Sequence, residues 1–358
     1  MASSLQQYHY KHPFVLEGGG VLDGLTIGYH TYGRLDEQGN NVVWVCHALT
    51  ANSDAVEWWS GLIGPGKVID TNRYYVVCAN ILGSCYGTEA ALFDGEKPLL
   101  VSIRDMVAAH RLLREHLGIP SIRLLMGGSM GGYQVLEWAI QEPALIRELF
   151  LIGTAASESA WGIAIHTAQR LAIEADPTWY NHGQAALVAR GHATGAVETG
   201  GATPGEMPGA AGLKAARAIG MLTYRTYEQF VAAQTGPAGE IEGFRAESYI
   251  RYQGQKLTRR FQARNYWLLT RSMDTHNIAR GRGGNIEAVL QSIPQRTLVM
   301  GINSDLLCPF VEQKFLAQHL PHAHLIGIDS IYGHDGFLTE SVKISEYLVD
   351  WLKDDPSA

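Results

Sequence analysis

Two hydrophobic rhythms alternate along the first 155 residues. Thr26–Tyr32 alternates with period two, as a half-buried strand does, while Asn41–Cys46 (NVVWVC) and Arg73–Asn80 (RYYVVCAN) are continuous β-branched and aromatic runs of buried-strand type. Ser102–Leu117 then places Ile103, Met106, Val107, Leu112, Leu113 and Leu117 at nearly helical spacing. Ile122–Met126 is another buried-strand run, followed by glycines and a helical stretch to Pro143; Leu149–Thr154 is a further strand. From Ala160 to Asp274 only helical segments are legible, and His192–Gly212, rich in Gly, Ala, Thr and Pro, reads as an irregular loop. After Ile293 the alternation resumes with a strand at Arg296–Gly301, a helix at Pro309–Leu320, a strand at His324–Ile328 and a closing amphipathic helix at Phe337–Lys353. Strands alternating with helices predict a mostly parallel sheet covered on both faces. The interruption predicts a core of residues 1–155 and 285–358 with a helical lid inserted at 156–284.

Composition narrows the class. A net charge of −7 argues against a nucleic-acid or anionic-membrane partner. No apolar run is long enough to span a bilayer, and MASSLQQYHYKHPF lacks the charged-then-apolar order of a secretory signal, so a cytoplasmic location is expected. The four cysteines, Cys46, Cys78, Cys85 and Cys308, form no C-x-x-C pair and are expected to be reduced and structural, with Cys85, in a loop, retaining a chance of lining a site. RGRGGN (Arg280–Asn285) follows no strand, so it is neither a dinucleotide fingerprint nor a phosphate loop.

The chemistry concentrates at Ile122–Gly132, IRLLMGGSMGG, which carries G-x-S-x-G as Gly127-Gly128-Ser129-Met130-Gly131 between a strand and a helix. A serine at the tip of so tight a turn needs neighbours without side chains, and the helix that follows offers free N–H groups to a developing oxyanion. The plain alternative is a helix N-cap serine; the strand before, the helix after and the second glycine pair favour a nucleophile. An acid and a histidine should follow in chain order. Asp305, in GINSDLLCP, and His334, in SIYGHDGF, each follow a late strand and lie at its carboxyl end. Asp329 and Asp335 are rivals for the acid but sit too close in sequence to His334 to face its ring. The oxyanion donors expected are the N–H of Met130 and, from the loop His47-Ala-Leu-Thr-Ala51 after an early strand, the N–H of Leu49, with His47 propping that loop.

Longer stretches carry a resemblance. HALTANSD (His47–Asp54), WWSGLIGPGKVIDTNRYYVVCANILGSCYGT (Trp58–Thr88), SIRDMV (Ser102–Val107), GGSMGGYQVLEWA (Gly127–Ala139), ADPTW (Ala175–Trp179), ARAIGMLTYRTYEQF (Ala216–Phe230), ESYIRYQGQKLTRRF (Glu247–Phe261) and YGHDGFL (Tyr332–Leu338) are similar to homoserine O-acetyltransferases. The likeness runs over nearly the whole chain. It implies an α/β-hydrolase fold with a helical lid, a homodimer, and acetyl transfer from acetyl-CoA to the hydroxyl of L-homoserine in methionine biosynthesis, with no bound cofactor and no metal. Carried across by motif, Ser129, Asp305 and His334 form the triad, and Arg217 and Asp335 bind the amino acid. An arginine fork suits the carboxylate of homoserine, and an aspartate suits its ammonium.

Other readings stay open. The triad alone does not separate an acyltransferase from an esterase on the same fold, and the likeness does not separate acetyl from succinyl donors or homoserine from serine. A non-catalytic binding protein predicts damage to the triad, and the sequence carries none.

Overall fold

The computed structural model describes residues 4–88, 90–94, 97–179, 207–239 and 241–353. Its main sheet has eight strands: β1 (Gln6–Tyr10), β2 (Leu25–Tyr32), β3 (Val42–Cys46), β4 (Tyr75–Ala79), β5 (Ile122–Gly128), β6 (Ile146–Ile152), β7 (Arg296–Ile302) and β8 (Ala323–Ile328), in the order β1-β2-β4-β3-β5-β6-β7-β8. From β4 to β8 every pairing is parallel; β2 alone runs against its neighbours. The central strands are apolar throughout because both faces are covered. On β3, Val42, Trp44 and Cys46 enter one core and Val43 and Val45 the other; on β6, Leu149 and Leu151 oppose Phe150 and Ile152.

The helices flanking the sheet follow the sequence periodicity. Helix α1 (Ile103–His116) starts at a capping box, in which the Ser102 hydroxyl accepts from the Asp105 N–H and Asp105 accepts from the Ser102 N–H. Helix α2 (Met130–Gln141), directly after β5, is buried along nearly its whole length. Between β6 and β7 come α3 (Ala160–Glu174), α4 (Ala210–Tyr224), α5 (Tyr227–Gln234), α6 (Arg245–Thr258) and α7 (Ala263–Asp274), with α3 packed on α4 and α7, and α4 on α6. The two stems of this stretch are zipped together: Ser157 pairs with Asn277, the Glu158 N–H donates to the His276 carbonyl at 2.9 Å, and the Ile278 N–H to Ala156 at 3.1 Å. Helices α8 (Ile286–Gln291), α9 (Phe310–His319) and α10 (Ser341–Lys353) complete the fold. Among the described residues no helix is long and apolar enough to cross a membrane.

Two expectations are corrected, and one strand lies outside them. Strand β1 was not legible, because QQYHY is polar and half-exposed at the sheet edge. Most of the expected loop His192–Gly212 lies outside the described residues, but Ala210–Gly212 are helical. The missing side chain at Gly212 serves packing: a Cβ there would come within 2.6 Å of Ile173 Cα on α3. The closing helix is broken at Glu340 into a single turn, Gly336–Thr339, and α10. Phe337 lies with its ring centroid 5.3 Å from that of His334 and shares one core with Ile344, Leu348 and Trp351 of α10.

Candidate active site

The turn after β5 explains its own glycines. Ser129 has φ 53° and ψ −128°, the one non-glycine residue with positive φ among the described residues. Such a conformation costs on the order of 1–3 kcal/mol and persists only where the surroundings impose it. Here the Ser129 N–H donates to the Ile152 carbonyl at 3.0 Å, and the Thr154 hydroxyl donates to the Ser129 carbonyl at 2.9 Å. A Cβ on Gly131 would sit 2.1 Å from the Cys46 carbonyl oxygen, so α2 can approach β3 only as glycine.

Three distant segments meet at this turn. The Ser129 hydroxyl lies 2.9 Å from His334 Nε2, and His334 Nδ1 lies 2.7 Å from Asp305 Oδ2. Asp305 is fixed in turn by the N–H groups of Leu307 (2.8 Å) and Cys308 (2.9 Å), which donate to its other oxygen. All three side chains are buried. Burial pulls the His334 pKa down, but the charge of Asp305 and its hydrogen bond outweigh that, and the net shift is upward from 6.5. The arrangement can take a proton from the serine hydroxyl, with Asp305 holding the ring in the tautomer whose Nε2 faces Ser129. The rivals fall away in space: Asp329 is exposed and accepts from Asn303, and Asp335 turns toward Arg225.

The loop after β3 closes the site. Neither the Leu49 nor the Met130 N–H has an acceptor among the described residues, and Leu49 lines the cavity that contains Ser129. His47 is a prop, as expected: its Nε2 accepts the Ile81 N–H at 3.1 Å and its Nδ1 lies 2.8 Å from the Ala48 carbonyl. Burial lowers its pKa to about 4, so it stays neutral in that role. Asn80, which sequence reasoning passed over, ties the same loop down. Its side chain accepts the Ser53 N–H (2.8 Å), donates to the Ser53 hydroxyl (2.9 Å) and donates to the Tyr86 carbonyl.

The cavity above Ser129 has a volume of about 600 Å³. Arg217 and Asp335 both line it, together with Tyr224, Lys256 and Arg260. The Arg217 guanidinium lies over the Tyr224 ring, 5.2 Å from its centroid, and has no carboxylate partner among the described residues. Asp335 is already paired, its Oδ2 2.7 Å from Arg225 Nε. Arg225 and Tyr224 lie in ARAIGMLTYR (Ala216–Arg225), yet nothing in their spacing signals a contact with a residue so distant in sequence. Cys85 does not line the cavity; its Sγ faces the Arg260 carbonyl at 3.6 Å.

A family model described as the α/β hydrolase fold matches residues 41–341. The homoserine O-acetyltransferase of Trichormus variabilis is 41% identical over 360 residues, covering 98% of this chain and 94% of that protein. The chain belongs to the homoserine O-acetyltransferase family. Among solved structures, the homoserine O-acetyltransferase from Bacillus anthracis superposes with a TM-score of 0.83 at 21% identity, over 98% of both chains. Esterase E22 superposes with a TM-score of 0.81 at 22% identity, over 98% of this chain and 100% of that one. At these identities the solved structures speak for the fold, and an acetyltransferase and an esterase share it almost equally. Membership of the family rests on the sequence relatives.

Proposed function

We propose that this chain transfers an acetyl group from acetyl-CoA to the side-chain hydroxyl of L-homoserine through an acyl-Ser129 intermediate, in methionine biosynthesis. The observation that carries the reading is Arg217, a guanidinium without a carboxylate partner among the described residues, in the same cavity as the Ser129–His334–Asp305 chain. An ester substrate without charge has no use for that cation, whereas an amino-acid carboxylate fits its fork.

His334 takes the Ser129 proton as the hydroxyl oxygen attacks the thioester carbonyl. The N–H groups of Leu49 and Met130 receive the oxyanion, and CoA leaves with the proton from His334. Homoserine then enters, held by Arg217 at its carboxylate and by the outer oxygen of Asp335 at its ammonium. Its hydroxyl gives a proton to His334 and accepts the acetyl group. The steps are ping-pong and call for no metal and no bound cofactor.

Residues 156–284 act as the lid on a core of residues 1–155 and 285–358, keeping water from the acyl-enzyme. The zipped stems at Ser157 and Asn277 support treating this stretch as one unit. Exposed apolar side chains on its helices, Leu171, Leu222, Tyr227 and Tyr252, support a homodimer formed through this block.

The test is thiol release from acetyl-CoA by the purified protein, with and without L-homoserine, and with Ser129→Ala as control. Homoserine-dependent release, lost in the variant, is the expected result. Release independent of any acceptor would make the chain a hydrolase. A response to L-serine or succinyl-CoA instead would reassign the acceptor or the donor.

A further inference from the structure

The cavity has a polarity along its depth. Ser129 and His334 are buried at its floor, whereas Lys256 and Arg260, which line the same cavity, are exposed at its rim. Lys256 lies in the last turn of α6 and Arg260 just past the helix end, and both line the cavity. Lys256 has no hydrogen-bond or ion-pair partner among the described residues. Arg260 is fixed across the mouth: its Nη1 donates to the Thr50 carbonyl and to the Tyr86 hydroxyl, each at 2.6 Å. Both partners are neutral, so the guanidinium is held in place while, among the described residues, no carboxylate pairs with it and its further N–H groups are unused. Glu57 also lines the cavity, but neither cation forms an ion pair with it. A lysine near a helix C-terminus is favoured by the helix dipole, which accounts for Lys256 alone. It does not account for an arginine braced against two loops.

We infer that Lys256 and Arg260 form the subsite for the phosphate groups at the nucleotide end of the acyl-thioester donor. The inference rests on the acyl-CoA reading above and adds the residues that hold the donor. The thioester carbon must reach Ser129 at the floor. The slender, uncharged pantetheine arm can descend that far, while the phosphates remain at the rim, where they stay partly hydrated. There a braced guanidinium offers paired donors to phosphate oxygens and the lysine supplies a mobile point charge.

The experiment compares acetyl-CoA with acetyl-pantetheine, which has the same reactive end and no nucleotide. Lys256→Gln should raise the KM for acetyl-CoA about tenfold, the loss expected for a charge-assisted contact. The KM for acetyl-pantetheine should change by less than about twofold, and Lys256→Arg should restore most of the difference. The preference of the wild type for the CoA donor should also shrink as salt is raised. Equal shifts for both donors, or no shift for either, would overturn the inference. Arg260→Gln serves as a second variant, in which only the difference between donors counts, because it also frees Thr50 and Tyr86. Calorimetric binding of CoA and of pantetheine to Ser129→Ala protein gives a readout independent of turnover. If the wild type shows no homoserine-dependent release, the acyltransfer reading fails. CoA binding that weakens about tenfold on Lys256→Gln would still uphold the rim, and unchanged binding would sink it.

Discussion

Asp335 Oδ2 lies 2.7 Å from Arg225 Nε, so the carboxylate next to His334 in sequence is already half neutralised before any substrate arrives. The pair leaves one carboxylate oxygen for an incoming ammonium and fixes its direction. Asp335→Asn should therefore raise the KM for homoserine about tenfold or more, with the larger effect in the acceptor half of the reaction. Arg225→Gln should cost about 1–2 kcal/mol of stability, since the pair is mostly but not wholly buried. Steady-state kinetics with homoserine varied, and denaturant melts of both variants, check the two statements.

Ser129→Ala should lower kcat by at least about a thousandfold, as expected when a unit of nucleophile and base loses its nucleophile. Intact-protein mass spectrometry after mixing with acetyl-CoA should show an acetyl adduct in the wild type and none in the variant. An adduct on the variant would place the acyl group elsewhere.

The pH dependence follows from His334, whose pKa stands above 6.5 in the folded chain. It must be neutral to act as base, so kcat/KM should fall as pH drops through that raised value, and the acid limb should have its midpoint above 6.5. Asp305→Asn removes the largest cause of the rise and should move the limb downward, along with a large loss in kcat. For stability the sign is opposite: the His334–Asp305 pair contributes fully below the unfolded value and loses its contribution as pH rises through the folded one. Rate profiles and melts across pH 5–9 test both signs.

Gly131→Ala should be severe for a local reason, the 2.1 Å approach to the Cys46 carbonyl. A backbone neighbour cannot swing aside as a side chain can, so a loss of about 1–3 kcal/mol is expected. Activity should drop further, because α2 carries the Met130 N–H.

Asn80→Ala tests the tether of the oxyanion loop. It strips partners from the buried Ser53 N–H and hydroxyl and from the Tyr86 carbonyl, at about 1–3 kcal/mol for the first such group. A lower kcat with a nearly unchanged KM for acetyl-CoA is the expected signature of a displaced Leu49 N–H.

Much of this was written in the chain. Buried parallel strands must be apolar on both faces, so runs such as NVVWVC announced themselves, and the elbow at Ser129 could be read because its glycines, strand and helix are adjacent in sequence. Asp305 and His334 were legible from their order and from their place after late strands. Local rules fixed these features because the constraints act between near neighbours. Tertiary structure decided what depends on contacts between distant segments: that Arg225 neutralises part of Asp335, that Asn80 pins the loop bearing Leu49, and that Lys256 and Arg260 stand at the mouth of the cavity. The polar edge strand β1 and the break at Glu340 were hidden for the same reason. Pairing with β2 is what makes the polar segment a strand.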